Sequence, residues 1–534
     1  MNNKIYDKYF DDLINLFPSI NNNLNLINYK HLNHLQENQF SETHIQQQLQ
    51  LFQRYYNFLY KKKQKTLYEK AILYDCIETL KTINSDIKYL PINHQENIII
   101  SIMELGGDDS ILILKSKKNF NDVLSKIENI NCICDSIISL MEKGIEKKIV
   151  LPKIITIKLI EQFKSFKKNK SYKNSKIEIQ LDYNFNNKLE TIITPCINKM
   201  IEFLETTYLK KSRNTIGICC LPNGTNLYNL YVSNSLTLNN ISIKNIHNYG
   251  LKEVERISKE MQNIKNKYNF NGTNREFSEY LKKQTINKFE SDKEFLDYYK
   301  TNLKLINKNI IPKYFDNKVK NINCLIKPVP KFNEKFSAEA YYIPGDILNK
   351  RKGTFYINMR NIKENNKMET ESLILHEANP GHHYQTTYVN ESKDIPLFLK
   401  LYCSEAYSEG WALYVENLGD YESLDSLFGK YINEMLRAVR LVIDTGIHYY
   451  TWSYDKCFKY CKNYLFDSDF QIHNQLLRYI SIPAQALCYK IGEKTIIDLL
   501  KKEQKKKNFN IKNFHEKILE TGGIPLFLLK EKFK

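Results

Sequence analysis

Three histidines and two glutamates crowd one segment, Glu371-Ser-Leu-Ile-Leu-His376-Glu377-Ala-Asn-Pro380-Gly381-His382-His383-Tyr-Gln385. Imidazole nitrogens bind zinc at ~2.0–2.1 Å, and a glutamate beside a ligating histidine can take a proton from activated water. Two histidines one helical turn apart reach a single cation. Here the second histidine comes at +6 or +7, which on an unbroken helix is ~9 to 10.5 Å along the axis and too far to share a metal. The additional residues are proline and glycine. Pro380 has no amide proton for the carbonyl of His376 and crowds it with its ring, and Gly381 can take conformations closed to other residues. The sequence therefore predicts a break in which Pro380 and Gly381 bulge out and His382 falls into the second ligand position. His383 sits ~100° further round and points elsewhere.

A third ligand must come from another element. Leu401-Tyr-Cys-Ser-Glu405-Ala-Tyr-Ser-Glu409-Gly-Trp411-Ala-Leu-Tyr-Val-Glu416 brings three carboxylates near one helical face, and the small Gly410 and Ala412 admit a close neighbour. Glu409 is the expected ligand. Glu405 and Glu416 are expected behind the ligands, paired with a histidine or an arginine. The plain alternative is a salt-bridged surface stripe.

The elements that must hold these residues are mostly helices. The chain has 534 residues, 42% of them hydrophobic, with 17 Gly and 13 Pro, a composition poor in breakers and able to bury a large interior. Residues 1–210 read as one amphipathic helix after another, as in Tyr55-Tyr-Asn-Phe58-Leu59-Tyr60 and Ala71-Ile-Leu-Tyr74-Asp-Cys-Ile77. Residues 211–534 form the expected catalytic region. Within it, Gly217 to Ser242 reads as turns and short extended pieces around Pro222-Asn-Gly224, followed by a helix from Leu251 to Lys267. Ala338–Met359, rich in β-branched and aromatic residues, reads as two strands around a turn that lead into the histidine segment. From Glu369 onward the pattern is helical again.

The formal charge of +18 raises nucleic acid as a partner, but the basic runs Lys61–Lys63, Lys167–Lys170 and Lys501–Lys507 are short and scattered, as on solvated helix faces. Eleven cysteines show no CxxC pair, and Cys457 and Cys461, one turn apart, read as buried thiols. The first residues lack the apolar run of a signal peptide, and no stretch reaches the ~18 apolar residues of a membrane span. These features predict a soluble, reduced, cytoplasmic protein without membrane or nucleic-acid partners.

The motifs in their order resemble the domain of unknown function 885 family. The family pattern His-Glu-x-x-Pro-Gly-His-x-x-Gln stands at His376 to Gln385, and its Glu-Gly-Trp-Ala signature at Glu409 to Ala412. Further matching segments are Arg437 to His448, Ile482 to Gly492, Leu221 to Tyr228 and Ile246 to Arg256, so the resemblance covers most of the chain. It implies a mainly α, zincin-like metallopeptidase of the gluzincin type, similar in architecture to thimet oligopeptidase and carboxypeptidase Taq relatives. It also implies one zinc ion held by His376, His382 and Glu409, with Glu377 as general base.

Hydrolysis then needs a donor for the developing oxyanion, and the matching segments offer His448 or Tyr489. Either could instead be a hydrogen-bonded core residue. Arg437 and Arg440 could grip a substrate carboxylate, or simply neutralise Asp444 and nearby glutamates. Gly353–Met359, with Tyr356 and Asn358, could be an edge strand that pairs with an extended peptide, or an ordinary buried hairpin. The expected activity is zinc-dependent cleavage of short or unfolded peptides. The alternatives are a zinc amidase or esterase on another substrate, and a non-catalytic helical scaffold.

Overall fold

Amphipathic spacing becomes helix wherever breakers are absent. The computed structural model describes residues 5–24, 26–106, 117–173, 184–316, 318–329, 334, 339–347, 351–360, 362 and 365–534; helices dominate, and one small sheet interrupts them. The chain divides into two units. The first comprises Met1–Tyr231, Ile447–Tyr454 and Gln475–Pro483, and the second Val232–Gly446, Asp455–Asn474 and Ala484–Lys534.

In the first unit, α1 (Glu42–Lys61) is capped by Ser41, whose side chain accepts from the His44 amide, and α2 (Leu67–Asn84) opens with a reciprocal Thr66–Glu69 capping box. Helix α1 buries Leu51, Phe52, Tyr55 and Leu59 along one face and leaves Phe58 and Tyr60 exposed on either side of it. Helices α3 (Ile130–Lys147) and α4 (Phe185–Phe203) are joined by a disulfide between Cys134 and Cys196. The expectation of a fully reduced chain is thereby corrected. These cysteines are 62 residues apart, so no local spacing marks them and only helix packing brings them together. Cys457 and Cys461 are free and buried.

Gly217 to Ser242 also departs from expectation. After a short 3-10 turn at Ile218–Cys220, the turn at Pro222 launches a helix, Gly224–Leu236. Tyr228, Val232 and Leu236 are buried at four-residue spacing, a helical period that the flanking turn residues obscured.

In the second unit, α5 begins at Ile243, not Leu251, and runs to Lys267, because Ser242 caps it by accepting from the Asn245 amide. The expected strands are present as β2 (Ala340–Ile343) and β3 (Thr354–Ile357), paired antiparallel; Ala338 lies outside the described residues. A further strand, β1 (Leu325–Pro328), pairs parallel to β3 on its other side, which gives the order β1-β3-β2. Strand β3 is therefore central, and the edge-strand expectation is corrected. Its flanks are occupied by Leu325 N bonding Gly353 O, and by Asn358 N bonding Glu339 O. The site residues lie on α6 (Thr370–Glu377), α7 (His382–Glu391), α8 (Glu405–Glu416), α9 (Leu424–His448) and α10 (Cys488–Glu503). Among the described residues no helix is long and apolar enough to cross a membrane.

Candidate metal centre

Helix α6 stops at Glu377 and α7 restarts at His382, with the break at the proline–glycine step. The Ala378 carbonyl accepts from the His383 amide at 3.1 Å, and the buried Asn379 side chain donates to Asn307 Oδ1 and to the Ile322 carbonyl, both at 2.8 Å. Trp411 Nε1 fastens the Pro380 carbonyl at 2.9 Å. Position 381 needs glycine: a Cβ there would stand 1.8 Å from the His376 carbonyl oxygen.

The break turns His382 back toward His376, with ring centroids 4.9 Å apart. Glu409 on α8 completes the group, and one ligand atom from each of the three lies within 4.8 Å of the others. Glu409 Oε2 is 3.4 Å from His376 Nε2 and 3.5 Å from His382 Nε2, yet it is buried and hydrogen-bonded to neither. An orphaned buried carboxylate oxygen between two imidazoles fits a divalent cation, and two nitrogens with one oxygen are donors that zinc accepts.

Both rings are oriented from behind. His376 Nδ1 donates to Glu416 Oε1 at 2.8 Å, since a carboxylate can only accept, and this leaves Nε2 facing Glu409. Ser408 spends its proton on Gln385 Oε1 at 3.2 Å, so its oxygen accepts from His382 Nδ1 at 3.3 Å. Burial works against charge on these groups, but the carboxylates of Glu409 and Glu416 still raise His376 to about 9. Burial likewise opposes the Glu409 carboxylate, and His382 and His376 outweigh it, holding the acid well below its ordinary range. Half-buried Glu377 stands beside His376 with no hydrogen-bond partner among the described residues.

The other expected residues fall differently. His383 is a core residue: one ring nitrogen meets the Tyr342 hydroxyl and the other the Asn321 carbonyl, each at 3.0 Å, and burial lowers it to about 4. Glu405 accepts from the Cys488 thiol at 3.8 Å. Tyr489 stacks on His376 at 6.3 Å and 17°, with the Arg440 guanidinium 4.6 Å from its ring centre and Arg437 at 6.0 Å. Its hydroxyl has no hydrogen-bond partner among the described residues. Asp444 accepts twice from the Ala484 amide, at 3.0 and 3.1 Å.

His448 is corrected as an oxyanion donor. It is fully buried in the first unit, where Nδ1 accepts from the Ile218 amide at 3.1 Å and Nε2 donates to the Tyr479 carbonyl at 2.8 Å. A ring with both nitrogens spent on backbone has nothing left for substrate. Tyr356 stacks on Tyr341 at 5.3 Å, and Asn358 Nδ2 donates to the Glu334 carbonyl at 2.7 Å; both serve the sheet. Sequence reasoning missed Ser408, Tyr342 and the role of Trp411 in fastening the Pro380 carbonyl. Ser408 precedes Glu409, but a lone serine on a helix carries no signal of its own.

The fold and site define a mainly helical protein with a partly buried two-histidine, one-glutamate cluster at a helix break. The chain belongs to the family described as "Bacterial protein of unknown function (DUF885)", whose pattern matches residues 25–533. No curated protein matches it. Its fold is similar to the crystal structure of "the putative lipoprotein from Colwellia psychrerythraea", at 20% identity, TM-score 0.85, and 99% of this chain against 98% of that one. It is also similar to "a putative lipoprotein of unknown function from Shewanella oneidensis", at 19% identity, TM-score 0.75 and 98% of each chain.

Proposed function

We propose that this protein is a zincin-like hydrolase that holds one zinc ion and cleaves peptide bonds in short or unfolded peptides. The observation that carries the reading is the convergence of His376, His382 and Glu409 beside a glutamate, Glu377, whose carboxylate is left free. A purely structural zinc closes its coordination with four protein ligands and needs no idle carboxylate alongside; three ligands leave a place for water or substrate.

When bound, zinc would supply Lewis-acid polarisation of the scissile carbonyl and lower the pKa of water. The chain's own residues do the rest. Glu377 takes a proton from the attacking water and passes it to the leaving amine nitrogen. The Tyr489 hydroxyl, with no other partner, donates to the oxygen on which negative charge develops, and stacking on His376 under the Arg440 guanidinium fixes its ring. The outer edge of β2 has no partner strand among the described residues and is suited to take an extended peptide backbone.

Glu377→Gln tests the reading: zinc content stays at one per chain, and hydrolysis of a mixed peptide library falls by at least ~10². Turnover unchanged in that variant removes Glu377 from its role. Cleavage of simple acyl amides or esters, with peptides untouched, moves the assignment to an amidase or esterase.

A further inference from the structure

Arg437 stands behind the metal cluster. Glu416, 1% exposed, presents one oxygen, Oε1, to His376 Nδ1 at 2.8 Å and to Arg437 Nη2 at 3.9 Å. Its other oxygen is buried without a partner. A carboxylate this deep keeps its charge only beside a counter-charge, and Arg437, itself 8% exposed, is the guanidinium in reach.

Arg437 is fixed in turn. Its Nη1 donates to the carbonyl and the side-chain oxygen of Asn433, at 3.1 and 3.2 Å. Asn433 Nδ2 donates to Ser372 Oγ at 2.7 Å, and Ser372 lies one turn before His376 on α6. The contacts thus close a ring from α6 through Asn433, Arg437 and Glu416 back to α6 at His376.

We propose that Arg437 is a positioning residue that acts through Glu416 to hold the His376 ring with Nδ1 protonated and Nε2 turned to the cation. This rests on the zinc reading. It moves Arg437 from gripping substrate, the role its spacing from Arg440 suggested, to setting metal affinity. A guanidinium suits the task because its planar fork can hold Asn433 and face Glu416 together.

The test is zinc affinity, measured by competition with a chromogenic chelator on the full chain. Wild type, Arg437→Met, Arg437→Lys, Glu416→Gln and the Arg437→Met/Glu416→Gln double variant are compared. Arg437→Met and Glu416→Gln should each weaken zinc ~10- to 100-fold, the range for residues that orient a ligand. The double variant should bind no more weakly than Glu416→Gln, because Arg437 works through that carboxylate. Arg437→Lys should recover most of the loss by restoring the counter-charge. Arg437→Gln replaces Arg437→Met if the methionine variant lacks the native far-UV spectrum. Wild-type affinity in the neutral variant, or losses that multiply in the double variant, overturns the relay and leaves the zinc reading standing. Wild-type protein that takes up no zinc overturns both, and is seen before any variant is compared.

Discussion

Tyr489 and His448 show how alike two residues can look in sequence and how differently packing treats them. Tyr489 stacks on His376 with its hydroxyl unclaimed among the described residues, whereas His448 gives both nitrogens to backbone groups. Removing one oxyanion donor typically lowers kcat by ~10²–10³, about 2.7–4 kcal/mol. Tyr489→Phe should therefore lose that much in kcat while zinc affinity and folding stay as in wild type; an unchanged kcat sinks the tyrosine's role. His448→Asn should do the reverse, lowering the melting temperature while kcat per folded molecule is retained. At this scale the sequence was most legible where backbone chemistry is stark. Pro380 and Gly381 announce a break, and a break selects His382 over His383. Hydrogen bonds made by His448 depend on Ile218 and Tyr479, distant in sequence, and nothing near position 448 reveals them.

Between elements, the site depends on how closely two helices approach. Gly410, next to Glu409 on α8, lies against Gly492 on α10, three residues after Tyr489. A Cβ on Gly492 would meet the Ala406 carbonyl oxygen at 1.9 Å, and one on Gly410 would meet the Gly492 Cα at 2.4 Å. Backbone cannot yield as a flexible side chain would, so either glycine-to-alanine change pushes the helices apart. Gly492→Ala should cost ~1–3 kcal/mol or more in urea unfolding, as overpacking does. It should also weaken zinc binding, because Glu409 moves with α8. A variant with wild-type stability would show that the helices can separate freely and that this crossing does not set the site. The value of small residues beside Glu409 was visible in sequence; their partner, Gly492, was not, since it sits far along the chain. The same limit explains the sheet. The aromatic, β-branched runs of β2 and β3 marked themselves, while β1, Leu-Ile-Lys-Pro, has no aromatic, a single β-branched residue and a proline at its end, and without it β3 looked like an edge.

Across the whole molecule, acid sensitivity follows from histidines buried neutral in each unit. Burial lowers His448 of the first unit to about 3 and His515 of the second to about 4. Each also uses a ring nitrogen as an acceptor: His448 Nδ1 from the Ile218 amide, and His515 Nε2 from the Tyr414 hydroxyl at 2.7 Å, since its Nδ1 donates to the Tyr314 carbonyl. Protonation would cost both the burial and that bond. Unfolded histidine titrates near ~6.5, above both folded values, so below that pH the unfolded chain binds more protons. Stability from these two groups is thus complete above ~6.5 and is lost as pH falls toward 4 and then 3, at about 1.4 kcal/mol per pH unit for each. His376 runs the other way in zinc-free protein: raised to about 9, its contribution is full below ~6.5 and is lost as pH climbs toward 9. Between pH 6.5 and 5 the Asp75 carboxyl, raised by burial to about 6, takes up a proton in the folded chain and opposes the loss from His448 and His515, so each histidine is read against its own variant. Zinc-free His515→Gln should lose about 2 kcal/mol less than wild type between pH 6.5 and 5, read from the urea midpoints of the two proteins, while being less stable at pH 7.5. Equal losses in wild type and His515→Gln would mean that water reaches the His515 ring and that burial does not hold it neutral.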